Sequence, residues 1–417
     1  ILTGALFYLF GIKLRKPKSS HMHNIDNKAK DRPLKIAYVH GYSNIIAGQE
    51  IILLNIIRNL NSTRYQAIAV LPQDGVFAEF LRAKGIEVRF IKLSRLKKKN
   101  PFSFISAVFK LLSLIKKEKI KIIHTSGLYP NQYCSVAAKI ARIPCICHIH
   151  STVYIEKEIK NSLLRFSDTV ITVSEGVKQS IKTAKIEESK VKVIYNGIDQ
   201  NEYKISVEQT ASIKREFNLD NNCKIVGQVG QIIKRKGIMY FIKMAELVMK
   251  EMQNVKFLLV GDDKNEPGYM REMQGLVDNL KLSKHIIFTG FRKDIPQLIS
   301  LMDIAVLSSL AEGLGMVLIE AMFLNKPVIA TDIPGVNEVI ENNITGLLVP
   351  PRDYRAMAKG VLTLLSDKDY AARLVKSAKN KVLSEFTIER QIKEIADIYE
   401  DLRITRKTKT EILNIKL

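Results

Sequence analysis

Short apolar runs alternate along the chain with longer segments of helical spacing, beginning at Leu34. Most runs are rich in β-formers, end in a turn and are followed by a helical segment, which is typical of parallel sheets with helical connections. The first series of predicted strands occupies residues 35–40, 67–71, 87–91, 120–124, 145–150 and 169–173. The second series occupies residues 224–229, 256–260, 285–289, 304–307, 327–330 and 346–349.

Two such series in a chain of 417 residues predict two α/β domains, because one core rarely serves a chain of this length. We expect the domains to span residues 34–198 and 199–386, joined by a linker near residues 195–209. Residues 387–417 contain a last helical segment and a tail. Residues 1–33 read as an apolar and basic leader with a polar linker.

The leader leaves two interpretations open. Residues 1–12 are almost wholly apolar and basic residues follow them. A helix needs about 20 apolar residues to span a bilayer, so this stretch is too short to cross alone. It is either the end of a longer anchor or an unstructured leader.

The four cysteines show no Cys-x-x-Cys pair and no secreted framework, which favours a reducing compartment, the cytoplasm. Cys145 and Cys147 are two residues apart in a predicted strand, which suits structural thiols on one face of that strand better than metal ligands.

Net charge is +23, of which residues 1–200 carry +19 and residues 201–417 carry +4. A basic half beside a near-neutral half suggests that one domain faces an anionic partner. Nucleic acid, anionic lipid and a polyanionic substrate would each suit. A nucleic-acid module would need basic residues interleaved with aromatics, and the sequence has no such module.

Residues 102–121 carry a broad apolar stripe at helical spacing, with Lys97, Lys98 and Lys99 before it and further lysines at its end. A basic amphipathic helix of this kind can lie in a bilayer interface. It can equally be a core-facing helix with solvated lysines at its ends.

The most informative stretch is residues 308–335. A predicted strand ends at residue 307, a turn containing Gly313 and Gly315 follows, and a helix begins near Met316. Ligands of open α/β sheets bind beyond the carboxyl ends of strands, and free N–H groups at a helix start suit a diphosphate. Glu312 and Glu320 flank this anion site and suit paired hydroxyls. A nucleotide sugar has that layout.

Here the chain resembles the family-4 glycosyltransferases (glycosyl transferases group 1), whose mark is Glu-x7-Glu with Gly-x-Gly after the first Glu. The resemblance implies the GT-B fold: two facing Rossmann-like domains with parallel sheets, and a C-terminal helix that crosses back to the first domain. It also implies that Glu320 holds the ribose hydroxyls and that Glu312 contacts the transferred sugar. The amides of Gly313, Leu314 and Gly315 would face the sugar and phosphates.

The turn at residues 229–237 follows another strand and carries Arg235 and Lys236. Cations here can neutralise charge on a departing diphosphate. The family pattern is Gly-Arg-x-x-x-x-Lys-Gly, which Lys236 and Gly237 match, whereas Gln231 stands at the Arg position. A neutral amide cannot make a bidentate charged contact. Either Arg235 compensates, or the diphosphate is held more weakly, or the choice of donor differs.

Two positions of the first domain also match the family. His150 ends a predicted strand where the family often has a His near the donor sugar, and a His satisfied within the fold is the competing interpretation. His148 shares its strand face, so a metal pair is conceivable, but a third ligand is missing. In the loop after the first strand Gly48 matches a glycine of the family's Gly-Gly-x-Glu, although Ala47 replaces the first.

The resemblance implies a retaining glycosyltransferase that needs no metal and no cofactor, with a nucleotide-sugar donor and a glycan or lipid-linked acceptor. We expect it in surface-polysaccharide or glycolipid synthesis, in the cytoplasm, at the inner face of the membrane if the basic domain binds lipid. The alternatives are a GT-B-shell binding protein without transfer activity and a GT-B epimerase or phosphorylase. A dehydrogenase fingerprint and a P-loop are both absent from the sequence.

Overall fold

The protein is described from a computed structural model that covers residues 33–44, 48–93, 101–152, 156–220 and 222–415. The predicted leader, residues 1–33, lies outside these ranges except for its last residue. Ala47 lies outside them as well.

A seven-stranded parallel sheet forms the centre of the first domain. Its strands are β1 (Leu34–His40), β2 (Tyr65–Leu71), β3 (Glu87–Phe90), β4 (Ile122–Ser126), β5 (Cys145–Ile149), β6 (Thr169–Thr172) and β7 (Val191–Val193). Their order across the sheet is β3-β2-β1-β4-β5-β6-β7, so the direction of winding reverses between β1 and β4. Such a reversal opens a crevice at the carboxyl ends of the strands, where ligands bind in doubly wound sheets.

A six-stranded parallel sheet forms the centre of the second domain. Its strands are β8 (Lys224–Val229), β9 (Val255–Val260), β10 (Ile286–Gly290), β11 (Ile304–Leu307), β12 (Val328–Thr331) and β13 (Leu347–Val349). Their order is β10-β9-β8-β11-β12-β13, which places the reversal between β8 and β11. The turns after these two strands are therefore adjacent in space.

Helices cover both faces of each sheet. In the first domain they are α1 (Gly48–Asn59), α2 (Val76–Ala83), α3 (Pro101–Glu118), α4 (Leu128–Ala141), α5 (Glu156–Asn161) and α6 (Glu175–Ser180). The linker and second domain contribute α7 (Val207–Glu216), α8 (Ile238–Glu251), α9 (Tyr269–Asn279), α10 (Ile295–Leu301), α11 (Met316–Phe323), α12 (Val336–Val339), α13 (Tyr354–Ser366) and α14 (Lys368–Glu385). The last helix is α15 (Ile388–Ile415).

Helix α15 crosses back to the first domain. Its residues Ile395 and Tyr399 are buried in the same apolar cluster as Ile36 and Tyr38 of β1. The crossing begins beside the linker, where Ile198 exchanges backbone hydrogen bonds with Phe386 (2.9 Å) and Ile388 (3.0 Å). The C-terminal segment is therefore bound twice, by hydrogen bonds to the linker and by apolar packing of α15 against the first domain.

The structure confirms the two predicted parallel α/β sheets and the helix that crosses back. It adds β7, a strand of three residues at the sheet edge, whose partly exposed side chains gave no apolar run to detect. Helix α1 begins at Gly48, which places Glu50 in the first turn of the helix. Within the described ranges, every helix is too short or too polar to cross a bilayer.

A prediction about stability follows from the crossing. Gly197 lies where a Cβ would overlap the carbonyl group of Thr387. We expect Gly197→Ala to lower the free energy of unfolding by roughly 1–3 kcal/mol, because overpacking forces the linker and the crossing apart. Urea unfolding measures this change.

The matched control is Gly275→Ala in α9, where no atom of the described parts of the chain would lie within 4 Å of a Cβ. Alanine there should raise the free energy of unfolding by about 0.5–1 kcal/mol through helix propensity. Equal effects of the two substitutions would contradict the tight contact at Gly197.

Candidate functional site

Two turns of the second domain, after β8 and after β11, lie side by side. The Gln228 side chain joins them: its amide donates to the carbonyl of Lys236 (2.8 Å), and its oxygen accepts from the N–H of Ser308 (3.0 Å). Gly237 permits the close approach, since a Cβ there would overlap the carbonyl oxygen of Ser308. The paired turns stand at the reversal of the sheet, where a ligand is expected.

The paired turns bring Glu312 and Lys236 into a buried ion pair. The Lys236 Nζ lies 2.5 Å from Glu312 Oε1, and the two side chains are 15% and 8% exposed. Ser309 Oγ donates to the same carboxylate oxygen at 2.6 Å. Arg235 donates to the carbonyl of Ala311 (2.8 Å) and lies 3.8 Å from Glu312 Oε2. Two cations and one hydroxyl therefore converge on one carboxylate.

The charge state of Glu312 follows from these neighbours. Burial alone would raise the pKa of this carboxyl. The charge and hydrogen bond of Lys236, the hydroxyl of Ser309 and the charge of Arg235 act in the opposite direction and hold the pKa below its usual value. Glu312 is therefore ionised at neutral pH.

The residues after Glu312 form the entry to α11. Gly315 is the N-cap residue and has a left-handed backbone (φ 81°, ψ 51°), which favours glycine. Gly313 lies so close to the first domain that a Cβ would overlap the carbonyl oxygen of His150. Leu314 between them is buried. The turn thus presents backbone, rather than side chains, at the boundary between the domains.

Glu320 lies one further turn along α11, and its environment differs from that of Glu312. Burial raises its pKa to about 7, although a hydrogen bond with Tyr203 acts in the opposite direction. Tyr203 comes from the linker, and its ring meets that of Phe323 edge-on at 5.6 Å. The two carboxyl groups of the Glu-x7-Glu pair therefore differ in proton affinity.

Gln231 lies in the turn after β8, where Gly261 packs closely against the backbone of Gly230 and Gln231. The second positive charge beside Glu312 comes from Arg235.

His150 follows the last residue of β5, and its backbone carbonyl packs against Gly313 of the second domain. Its ring stacks on that of His148 with centroids 4.1 Å apart. Burial, reinforced by the nearby His124 and His40, lowers the pKa of His150 to about 3. The imidazole is therefore neutral at pH 7 and can hydrogen-bond to a hydroxyl without carrying charge.

Gly48 begins α1 at the reversal of the first sheet. The next residue, Gln49, donates to Ser126 Oγ at the end of β4 (3.0 Å), and Glu50 lies 2.7 Å from His40 at the end of β1. Among the residues that the structure describes, no atom would lie within 4 Å of a Cβ at Gly48, so these residues leave the space beside the helix start open.

Hydrogen bonds tie the Glu312 turn to the first domain. Thr152 Oγ1 donates to the carbonyl of Glu312 and Ser174 Oγ to that of Gly313, each at 2.6 Å. The carboxylate of Glu338 accepts from the first two N–H groups of α6 at 2.7 and 2.8 Å. The described form is therefore one in which the two domains are in contact at the site.

Ligand sets for a metal ion would need three or more converging groups. The described ranges contain no such group of His, Cys, Asp and Glu side chains. The four cysteines are free and buried. Burial raises the pKa of Cys134, Cys145 and Cys147, which keeps these thiols protonated.

Some residues of the site were missed from the sequence. Ser309 is a neighbour of Glu312 in the chain, so its contact could have been found from proximity. Tyr203 and Thr152 reach α11 and its entry turn across more than 100 residues, and their local sequence carries no corresponding signal.

Comparisons with known proteins identify the family of this chain. The family model described as Glycosyltransferase Family 4 matches residues 46–202, and that described as Glycosyl transferases group 1 matches residues 209–381. UDP-Gal:alpha-D-GlcNAc-diphosphoundecaprenol alpha-1,3-galactosyltransferase of Escherichia coli is 23% identical over 91% of this chain and 100% of its own length. N-acetyl-alpha-D-glucosaminyl L-malate synthase of Bacillus anthracis is 27% identical over 70% of this chain and 78% of its own.

Solved structures are similar as well. HepE of Anabaena, crystallised with UDP-glucose, superposes with a TM-score of 0.79 at 26% identity, covering 88% of this chain and 100% of that one. WaaG, a glycosyltransferase involved in lipopolysaccharide biosynthesis, shares the fold with a TM-score of 0.67 at 14% identity, over 87% of this chain and 99% of its own. With two matching family models and a paired-turn site between two Rossmann-like domains, the chain belongs to the family-4 glycosyltransferases (glycosyl transferases group 1) of the GT-B fold.

Proposed function

We propose that this glycosyltransferase is a retaining enzyme that moves a sugar from a nucleoside-diphosphate sugar to a hydroxyl of a glycan or lipid-linked acceptor in surface-polysaccharide or glycolipid synthesis. The observation that carries the proposal is the buried Lys236–Glu312 pair at the domain boundary. It places a cation and a hydroxyl-binding carboxylate together beside the start of a helix. The E. coli relative, whose name specifies a sugar nucleotide and a lipid diphosphate, supports the substrate classes.

Each group of the site has a task in this proposal. Lys236 and Arg235 meet the diphosphate, together with the backbone N–H groups at the start of α11. Glu312, once Lys236 turns to the phosphates, accepts from hydroxyls of the transferred sugar. Glu320 accepts from the ribose hydroxyls. Neutral His150 hydrogen-bonds to the sugar from the opposite domain.

Further contacts involve backbone. The amides of Gly313, Leu314 and Gly315 face the sugar and phosphates, Gln231 lies along the diphosphate, and the open space at Gly48 admits the acceptor side of the substrate. In this scheme protein cations supply the positive charge and the enzyme needs no metal or cofactor.

The proposed chemical step is a displacement on one face of the sugar. The bond between the anomeric carbon and the diphosphate oxygen breaks, and its electron pair leaves with the diphosphate. The acceptor oxygen forms the new bond from the same face and passes its proton to the departing phosphate oxygen. The name of the E. coli relative gives an alpha product, and an alpha product from an alpha-linked donor means retention.

We also infer that the first domain rests on an anionic lipid surface. Helix α3 buries Ala107, Val108 and Leu111 in the core, yet leaves Phe102 79% exposed and Phe109 50% exposed. Exposed lysines of the same helix and the +19 charge of residues 1–200 complement anionic lipid headgroups. This would hold the enzyme at the cytoplasmic face of a membrane, where a lipid-linked acceptor is available.

The first prediction concerns transfer itself. We expect the protein to transfer sugar from one member of a panel of UDP-, GDP- and ADP-sugars to a synthetic GlcNAc-diphospholipid. The new linkage should have the α configuration, which NMR of the product determines. Lys236→Ala should lower kcat by about 10²–10³-fold, because the departing diphosphate loses its cation. The substitution also removes the nearest positive charge from Glu312, which keeps only Ser309 and the more distant Arg235, at a cost of about 1–3 kcal/mol in stability. Adding Glu312→Gln should restore the thermal midpoint but not the activity.

The matched control is Lys224→Ala, which removes another lysine–carboxylate pair (2.8 Å to Asp303) at the opposite end of β8. The Lys224→Ala variant should keep a kcat near the wild-type value. Donor binding with no reaction would contradict transferase action on these acceptors and favour a GT-B binding protein. Hydrolysis alone would also contradict it. Epimerisation or phosphorolysis in place of transfer would favour a GT-B epimerase or phosphorylase. A β-linked product would contradict retention.

The second prediction is a pH dependence of donor binding. The ribose hydroxyls need an ionised Glu320 as acceptor, and its pKa is about 7 in the free protein. Affinity should therefore rise with pH, by about tenfold between pH 6 and pH 8, as the competent fraction grows. Calorimetric titration with the donor found above, or with UDP-glucose, measures it.

Glu320→Gln should bind more weakly and with little dependence on pH over the same interval. An unchanged wild-type affinity from pH 6 to pH 8, or a fall in affinity with rising pH, would argue against the ribose contact.

The third prediction concerns the membrane surface. The protein should float with vesicles containing anionic lipid and remain below with neutral vesicles. The double substitution Phe102→Ser and Phe109→Ser should reduce flotation several-fold, because the apolar part of the contact is lost. Phe291→Ser removes a similarly exposed aromatic of the second domain (54%) and should leave flotation unchanged. Equal flotation with both kinds of vesicle would refute the inference.

A further inference from the structure

A chain of hydrogen bonds runs through the first domain beneath His150. Tyr38 and Tyr399 join their hydroxyl groups at 2.9 Å, and the Tyr399 hydroxyl lies 2.6 Å from His124 Nδ1. His124 Nε2 lies 3.2 Å from His148 Nδ1. All four side chains are at most 1% exposed. Three strands and the last helix therefore meet in one buried polar network.

The protons of this chain are ordered together. Burial lowers the pKa of His124 to about 3 and that of His148 well below its usual value, so both rings are neutral and carry one proton each. If Tyr399 donates to His124 Nδ1, then His124 Nε2 carries the proton and donates to His148 Nδ1, which puts the proton of His148 on Nε2. If His124 Nδ1 instead donates to Tyr399, the proton of each histidine lies on its other ring nitrogen, Nδ1. The orientation of the Tyr399 hydroxyl is thus coupled to the tautomer of His148.

The far end of the chain lies against His150. The rings of His148 and His150 are stacked with an angle of 29° between their planes. Neither His148 Nε2 nor His150 Nδ1 has a hydrogen-bond partner among the described residues. The plane of His150 is therefore supported by stacking on a ring that is itself held by His124.

Tyr399 is the member of the chain that comes from outside the first sheet. It reaches His124 from α15, and its contact with Tyr38 spans 361 positions of the sequence. A neighbouring tyrosine, Tyr65, also binds α15, but through Glu400 (2.9 Å) and not through the histidines. The Tyr65 hydroxyl therefore anchors α15 without joining the chain of hydrogen bonds, whereas the Tyr399 hydroxyl is a member of that chain.

We propose that Tyr399 is a positioning residue for His150: through His124 it holds the ring of His148, and stacking on that ring fixes the orientation of the His150 imidazole at the cleft. Its consequence for turnover rests on the proposed function, in which His150 hydrogen-bonds to the donor sugar. The C-terminal helix then contributes to the active site without touching the substrate. Loss of the hydroxyl removes the hydrogen-bond partner of the buried His124 Nδ1, so the tautomers of His124 and His148 are no longer coupled to Tyr399.

The test uses ¹⁵N-histidine-labelled full-length protein and long-range ¹H–¹⁵N correlation spectra at neutral pH, assigned with single histidine variants. Tyr399→Phe should change the nitrogen shifts of His124, His148 and His150, and should lower kcat roughly tenfold or more through misplacement of the imidazole. In a His150→Ala background the same substitution should cause no further loss, because the two residues act as one unit.

Tyr65→Phe is the matched control, since it loosens the same helix while leaving the chain intact. It should leave the spectra of the three histidines and kcat near wild-type values. If Tyr399→Phe leaves the His150 signals unchanged, or if Tyr65→Phe changes them equally, the positioning role is wrong. Independent, multiplying losses in the double variant would also contradict it. The spectra require no substrate, so they decide the positioning of His150 even if the proposed sugar transfer fails.

Discussion

The ion pair between Glu312 and Lys236 is the interaction on which the site depends. A buried carboxylate is costly unless it is paired and hydrogen-bonded, and here Lys236, Ser309 and Arg235 together keep it ionised. Holding that pair requires the turns after β8 and β11 to be adjacent, which the reversal of strand order supplies. Polar groups are thus assembled before substrate binds. In the proposed function the diphosphate takes over Lys236 and the sugar takes over Glu312, so that each charge keeps a partner.

The same turn is also where the two domains meet. Thr152 and Ser174 of the first domain hold the carbonyl groups of Glu312 and Gly313, and His150 packs against Gly313, where a side chain would not fit. Separation of the domains would break these contacts and expose the turn, and closure steps of this kind often limit turnover in enzymes. Helix α15 links this geometry to the first domain from the far side, through Tyr399 and its histidine contacts.

Much of the fold followed from local pattern, because buried parallel strands are apolar runs and their connecting helices have apolar stripes. The turn and helix at residues 312–323 were equally readable, since Gly313, Gly315 and the two glutamates lie within one short segment. The contact of Glu312 with Lys236 could not be predicted in this way, because the two residues are 76 positions apart and meet only through the order of the strands. The role of Lys236 at the diphosphate was predicted from the family resemblance instead. Tyr203 beside Glu320 and the Tyr399–His124 contact depend on side-chain packing between distant segments, which no local spacing encodes. Strand β7 was missed because three partly exposed residues make no apolar run.

Structure determination with the nucleotide-sugar donor bound is the most direct test of the central claim, that the Glu312–Lys236 pair is a preassembled donor site. We expect Lys236 Nζ to have moved from Glu312 to a diphosphate oxygen, with Glu312 accepting from a sugar hydroxyl and Glu320 from the ribose. A donor bound elsewhere, or a diphosphate beside the helix start with the ion pair still closed, would contradict the account.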